Sequence, residues 1–361
     1  MTDHTRPQAI GRGSQLTPAN RFGVTHSEAD LEQVEWDDEY LESLRAIKTE
    51  YIPDASKSIV SENDSPDVDF RYSVNPYRGC AHGCVYCYAR TTHEYLGFNA
   101  GLDFETKVIV KERAPALFRD WLARDSYEPE FIAFSGVTDC YQPAEREYQL
   151  TRGCMKVALE ARQPVGITTK NALVSRDLDL LTEMAAFNTV SVAISITTLD
   201  ATLARTMEPR TSTPQAKLRT IRQLTDAGIP TSVMVSPIIP GLNDSELPAV
   251  LEAAAAAGAR SARYIMLRLP LTVRPVFMEW LERTQPLKKD RIESRIRSTR
   301  EGELNSSDFE NRMRGTGEFA DQIKQTFRVF SKKFQLDKEL PPLATTHFRR
   351  PVPSSGQLRL F

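Results

Sequence analysis

No stretch of this 361-residue chain approaches the ~18 consecutive apolar residues that a membrane helix needs. Residues 1–20 are polar and hold no apolar secretory stretch, so a cytoplasmic protein with no membrane association is expected. There is no internal repeat and no long low-complexity tract. Cysteine is scarce and odd in number: five residues, at 80, 84, 87, 140 and 154. Three of them crowd into eight positions, whereas a disulfide framework would be even and spread out. A metal site in a reducing compartment fits that pattern better. Charge of one sign is also missing, since the formal net charge is only −2.

That small total hides an asymmetry. Residues 1–57 carry six Lys+Arg against eleven Asp+Glu, and residues 288–361 carry sixteen against ten. The basic end suits a polyanion, or is simply a solvated helical surface.

Residues 1–57 read as a polar, acidic N-terminal arm, with one surface helix expected over 27–44 from a Ser27 cap. From residue 70 short β-rich runs alternate with helical ones. Strands are expected at 70–74, 131–134, 165–168, 190–196, 231–235 and 263–267, each with the continuous apolar run of a buried parallel strand. Helices are expected at 144–162, 177–187, 214–227 and 245–257. Gly228 and Pro230 close one of them, and Asn243 or Asp244 caps the next. Six alternating units predict an α/β fold with a parallel, barrel-like (βα)6 sheet, partial because eight units would close the standard barrel. This core domain spans 58–285. A helical appendage is expected over 286–340, and residues 341–361, rich in Pro and Ser, form an extended tail. In such a barrel the chemistry belongs at the carboxyl ends of the strands.

The densest chemical signal follows the first strand: Asn75-Pro-Tyr-Arg-Gly-Cys80-Ala-His-Gly-Cys84-Val-Tyr-Cys87-Tyr-Ala-Arg90. Thiolates spaced by three and then two residues can wrap one corner of a cubane. A ferredoxin-type cluster takes four cysteines, and no fourth lies nearby. Three ligands leave one iron open to an exogenous chelate. The competing reading is zinc, with His82 or His93 as the fourth ligand, although zinc motifs usually pair two Cys/His elements.

At this motif the sequence resembles the radical S-adenosylmethionine (SAM) superfamily, and most of all its bacterial branch related to spore photoproduct lyase. Similar stretches are 75–90, 101–111, 138–152, 169–181, 195–214 and 236–244. The resemblance implies a [4Fe–4S] cluster on Cys80, Cys84 and Cys87, with SAM chelating the open iron. It implies that Tyr86 lies against the adenine. Ser135, Gly136 and Val137 end the second strand, where the family binds the SAM amino group. The family's Gly-Gly-Glu is not intact here, so backbone carbonyls take that role, with Thr138 and Asp139 adding hydrogen bonds. Lys170 and Ser195 match SAM-binding positions, and Lys170 suits the SAM carboxylate. Arg210 is a second carboxylate candidate, or a bridge to Glu208. Pro237-x-Ile239-x-Gly241-x-x-Asp244 matches the adenine-contacting segment in outline, with Ile239 and Gly241 as contacts. Photoproduct lyases carry a hydrogen-donating cysteine where this chain has Gly136. Cys140 is the candidate substitute, or a small buried hydrophobe, and Tyr88 is a candidate radical relay.

The resemblance implies a radical SAM enzyme acting on nucleic acid, with an electron donor such as flavodoxin or ferredoxin. The alternatives are a peptide or small-metabolite substrate, or a non-catalytic iron–sulfur module. The last five residues, with Gln357, Leu358, Leu360 and Phe361, resemble the bacterial sliding-clamp-binding motif and make the clamp a candidate partner.

Overall fold

The computed structural model describes residues 8–22 and 47–355. The helix expected over 27–44 and the motif at 357–361 lie outside the described residues.

Among the described residues ten strands make two sheets. They are β1 (Glu50–Pro53), β2 (Val60–Glu62), β3 (Tyr72–Val74), β4 (Tyr77–Arg78), β5 (Lys107–Val110), β6 (Ile132–Phe134), β7 (Val165–Thr169), β8 (Val190–Ser195), β9 (Thr231–Ile238) and β10 (Ser261–Met266). The larger sheet has the order β10-β9-β8-β7-β6-β3-β2. Its strands β3 and β6 to β10 stand side by side in chain order and pair parallel. These are the six apolar runs. β2, which the sequence reading did not find, covers one edge antiparallel to β3. β10 is the other edge, so the sheet is open.

The strands differ from the expected wholly buried ones. β7 and β9 alternate buried and half-buried residues. One face, with Val165 and Ile167 or Val233 and Val235, packs into the main core. The other presents Thr168, Met234 and Ser236 to a cavity. That alternation is the mark of a sheet with one packed and one lined face.

The helices are α1 (Ala114–Leu122), α2 (Leu150–Ala161), α3 (Leu178–Ala186), α4 (Pro214–Asp226), α5 (Leu247–Ala256), α6 (Val273–Thr284), α7 (Lys289–Ser298) and α8 (Gly317–Lys333), with shorter turns between them. α4 starts at Pro214, with the Thr213 side chain accepting from Ala216 N–H at 3.3 Å, and closes at Gly228 with φ 78°. The expected helix over 144–162 is broken at Gln149, whose φ is 51°. The break lets the buried Glu145 carboxylate accept from the N–H groups of Thr151 and Arg152, at 2.9 and 3.2 Å, in the first turn of α2. Asn243 and Asp244 do not cap α5. Their carboxamide and carboxylate turn back and accept from Ile239 N–H and Gly241 N–H, both at 2.6 Å.

Residues 342–354 hold no regular element and run over the surface of the sheet's helices. Ala344 N–H donates to Asn188 O at 2.8 Å, Arg349 N–H donates to Ala161 O at 2.7 Å, and Phe348 meets Tyr127 edge-on at 5.6 Å. No helix among the described residues is long and apolar enough to cross a membrane.

A second apolar cluster lies apart from the main core. It joins α6 and α7, through Phe277, Trp280, Leu281, Ile292 and Ile296, to Cys84, Val85 and Tyr86 of the cysteine loop. Trp280 is fully buried and donates to Thr206 O at 3.0 Å. Trp280→Ala should therefore destabilise the protein by about 3–5 kcal/mol in denaturant unfolding. A loss below about 1 kcal/mol would show that this cluster on α6 does not support the loop.

Candidate active site

The cysteine loop leaves β3 through Asn75 and turns at Gly79 and Gly83, with φ of 77° and 69°. Both glycines are needed, since a left-handed backbone is strained for other residues. A Cβ on Gly83 would also approach the Glu105 carboxylate to 2.7 Å. Cys80 N–H donates to Phe104 O at 2.9 Å and Val85 N–H to Met207 O at 3.1 Å.

The loop is held from behind by Arg90, which is fully buried. Its guanidinium donates to Cys84 O through Nε at 3.0 Å and Nη2 at 2.9 Å. Nη1 donates to Ala100 O and Gly101 O, at 3.0 and 2.9 Å. Nη2 also pairs with Glu105 at 2.5 Å, and neither side chain is exposed. Glu105 then accepts from the N–H groups of Gly13 and Ser14, at 2.9 and 2.7 Å. A Cβ on Gly13 would collide with Gly83 O at 1.8 Å, so the two glycines are in backbone contact. Residues 12–14, read from the sequence as part of a polar arm, are buried here.

Cys80, Cys84 and Cys87 line one wall of a cavity of about 600 Å³ at the carboxyl ends of the parallel strands. Burial raises all three thiols above their usual range, so thiolates here need a positive centre. Two buried thiols and the half-buried Cys87 are a donor set that iron ions of a cluster would suit. His82, also on the wall, bonds Asn171 at 3.1 Å and is kept neutral by burial. His93 is not on the wall. It stacks on Phe98 at 5.1 Å and meets Phe104 edge-on, away from the zinc role considered for it.

The same cavity is lined by Lys170, which follows β7. Its ammonium donates to Ser195 Oγ and Thr197 Oγ1, both at 2.9 Å, and to Ser236 O at 2.8 Å. It lies 3.1 Å from Glu208, which Lys217 meets from the far side at 2.8 Å. Burial would raise the Glu208 carboxyl, but Lys170 and Lys217 more than offset it and keep the group ionised. Two ammonium groups thus face one carboxylate. Tyr86 lines the same cavity, donating its hydroxyl to Glu208, with Lys170 5.5 Å from its ring centroid.

The loop after β6 supplies more of the lining. Ser135, with φ 70°, Gly136, Thr138 and Asp139 all line the cavity. Their polar groups are largely committed. Thr138 donates to Tyr77 O at 2.7 Å. Asp139 accepts from Tyr141 N–H at 2.9 Å, and from Thr169 Oγ1 and Lys170 N–H, both at 2.8 Å. Gly136 O accepts from Tyr88 at 2.6 Å. Tyr88 is itself 44% exposed on the cavity wall.

Four expected residues lie elsewhere. Cys140 is wholly buried in the main core and off the cavity wall, which is the place of a small hydrophobe, not of a hydrogen donor. Arg210 neither lines the cavity nor reaches Glu208. Its side chain donates to Gly11 O at 3.1 Å, because Lys170 and Lys217 already occupy Glu208. Ile239 is buried in the second apolar cluster. Gly241 has φ 82° and packs against Arg295 and Ile292 of α7, so its lack of a side chain serves helix packing. Conversely, Arg268 and Arg312 on the outer cavity wall were missed. Arg268 sits two residues beyond β10, the kind of strand-end place that pointed to Lys170. Arg312 had no such signal.

The profile of the radical SAM superfamily matches residues 74–254 of this chain. An uncharacterized protein of Mycobacterium tuberculosis is 45% identical over 219 residues, which are 60% of this chain and 64% of that protein. The match therefore spans less than two thirds of that relative's length. An uncharacterized protein of Methanocaldococcus jannaschii is 30% identical over 199 residues, 55% of this chain and 71% of its own. The fold is similar to that of a spore photoproduct lyase mutant solved with bound AdoMet and dinucleoside spore photoproduct. The TM-score is 0.53 at 16% identity, covering 79% of this chain and 78% of that one.

Removing one partner of a buried ion pair leaves the other charge uncompensated. Glu105→Gln should thus destabilise the protein by about 3–5 kcal/mol and loosen the loop that Arg90 positions. Calorimetric unfolding, with limited proteolysis of residues 8–22 against wild type, checks both. Equal stability would remove this pair from the account of the site.

Proposed function

The chain belongs to the radical SAM superfamily, and from that premise we propose that it cleaves SAM reductively at a [4Fe–4S] cluster and acts on nucleic acid. The observation that supports the first part is one cavity lined both by Cys80, Cys84 and Cys87 and by Lys170. Cys80, Cys84 and Cys87 would hold the cluster. The chemistry such a cluster supplies when bound is one-electron reduction of SAM, giving methionine and a 5′-deoxyadenosyl radical.

The chain's own residues bind and orient. Lys170 offers its charge to the SAM carboxylate, and the ammonium excess around Glu208 favours that added anion. The hydroxyls of Ser195 and Thr197 hold the Lys170 ammonium in place, so it is presented with little freedom left to lose. The Tyr86 ring is a flat apolar surface for the adenine. Tyr88, next to Cys87 in the chain and exposed on the cavity wall, would serve as a radical relay. With Cys140 in the core, the hydrogen donor used by photoproduct lyases has no equivalent on this cavity wall, and the fate of the substrate radical differs accordingly.

The nucleic-acid reading draws on the arginines of the outer wall, on the basic end of the chain and on the fold's likeness to photoproduct lyase. A protein such as flavodoxin or ferredoxin would supply the electron. The peptide ending in Leu360 and Phe361 would tether the enzyme to the sliding clamp.

Anaerobically reconstituted protein should hold about four irons per chain and should release 5′-deoxyadenosine from SAM on reduction. Cys87→Ala should lose both. Full iron content in that variant would sink the ligand assignment. Lys170→Ala should keep its iron but bind SAM more weakly by about 1.5–3 kcal/mol, roughly tenfold or more in Kd. An unchanged Kd in equilibrium dialysis would take Lys170 out of the SAM site.

A further inference from the structure

The outer part of the cavity carries positive charge for which the SAM site has no use. Arg268 follows β10 directly and lines the wall, its guanidinium 5.7 Å from the ring centroid of Tyr88. Its Nε is buried without a hydrogen-bond partner, and Nη1 reaches only the Met313 sulfur at 3.7 Å. Among the described residues it forms no ion pair. The one carboxylate close by, Asp67, is taken by Arg312 through both Nε and Nη2. Behind them the buried Arg300 donates only to the carbonyls of Leu267, Asn311 and Arg312. Two guanidinium groups on the cavity wall, Arg268 and Arg312, therefore have one carboxylate between them. Glu62, further along the wall, is held by Arg71 at 2.6 Å.

An unpartnered buried donor costs folding free energy and calls for an explanation. A ligand that brings an anionic oxygen supplies one. Two exposed aromatic rings lie beside these cations, Tyr88 on the cavity wall and Phe309 next to Arg312 just off it. Tyr88 lies under Arg268, and Phe309, 47% exposed, lies 4.2 Å from the Arg312 guanidinium. Rings beside cations at a cavity mouth suit bases next to phosphates.

We propose that Arg268 anchors a phosphodiester oxygen of the nucleic-acid substrate at the cavity mouth, with Tyr88 and Phe309 as flanking faces for its bases. This rests on the nucleic-acid reading above. The anchored strand passes Tyr88 and so comes up to the cysteine side of the cavity.

The test uses the full chain, anaerobically reconstituted and with SAM present. Anisotropy of a short fluorescein-labelled single-stranded oligothymidylate is followed across a salt series. Arg268→Gln should bind roughly tenfold more weakly, with a salt slope smaller by about 0.7, one phosphate contact on a single strand. Arg268→Lys should keep the slope and lose less affinity. An uncharged methylphosphonate oligomer of the same sequence should not distinguish wild type from Arg268→Gln. Equal affinity and slope for wild type and Arg268→Gln overturns the assignment and leaves the nucleic-acid reading standing. Equal losses in the Lys and Gln variants also overturn it, because the retained charge then does nothing. Wild-type protein without salt-dependent binding overturns the nucleic-acid reading and the anchor with it.

Discussion

The buried pair of Arg90 and Glu105 is the constraint on which the site depends. Arg90 spends its donors on the carbonyls of Cys84, Ala100 and Gly101, and Glu105 takes the amides of Gly13 and Ser14. One ion pair thus ties together the middle cysteine, the turn after the loop and a segment some seventy residues upstream. Such a pair is weak evidence for stability, because both charges lose their hydration. Its value here is positional. A loop that must place three thiols has few apolar side chains of its own to pack. The planar, forked guanidinium fixes backbone carbonyls in direction as well as distance.

From that loop the cavity is graded in charge. At the cysteine wall burial favours neutral thiols, so the wall asks for a cation. Lys170 also lines the cavity, with Glu208 and Lys217 paired behind it, so its ammonium is the group there that an anion would meet. At the mouth Arg268 and Arg312 exceed Asp67 by one charge. A zwitterionic cofactor at the cysteines and Lys170 and a polyanion at the mouth would each meet complementary charge. Uncompensated charge in a partly buried cavity is costly for the free protein, and a bound ligand relieves it.

The local parts of this arrangement were legible in the sequence. Six apolar runs predict the six parallel strands, and the three cysteines, with Tyr86, Lys170 and Ser195 that the family resemblance implies, line one cavity. What escaped depends on contacts between distant segments. β1 pairs with β5 across more than fifty residues, and β5 follows a helical turn at Leu102–Thr106 and does not belong to the alternating series of the larger sheet. The Gln149 break has no Gly or Pro to announce it; its cause is the Glu145 carboxylate, which caps α2 from outside. Gly241 reads from sequence as a place for a ligand to approach, yet helix α7 occupies that space. Arg210 and Cys140 were placed by spacing along the chain. Spacing cannot tell that Glu208 is already paired, or that the loop after β6 turns Cys140 inward.

The strand alternation links the fold to the chemistry. In β7 and β9 every second residue is half-buried, and those nearest the carboxyl ends, Thr168 and Ser236, are polar and line the cavity. In a closed barrel interior such positions would be filled by branched side chains that pack the centre. Here the sheet is open and its inner face leaves room, so the space becomes the cavity. Polar groups on that face are tolerable because they bond one another, as Ser236 O does with Lys170. The outer face carries the apolar burial that stabilises the sheet against its helices. The inner face can then present a lysine and serines to a ligand. The same period of two that makes these strands fold also sorts the residues that hold the protein together from those that are available to act.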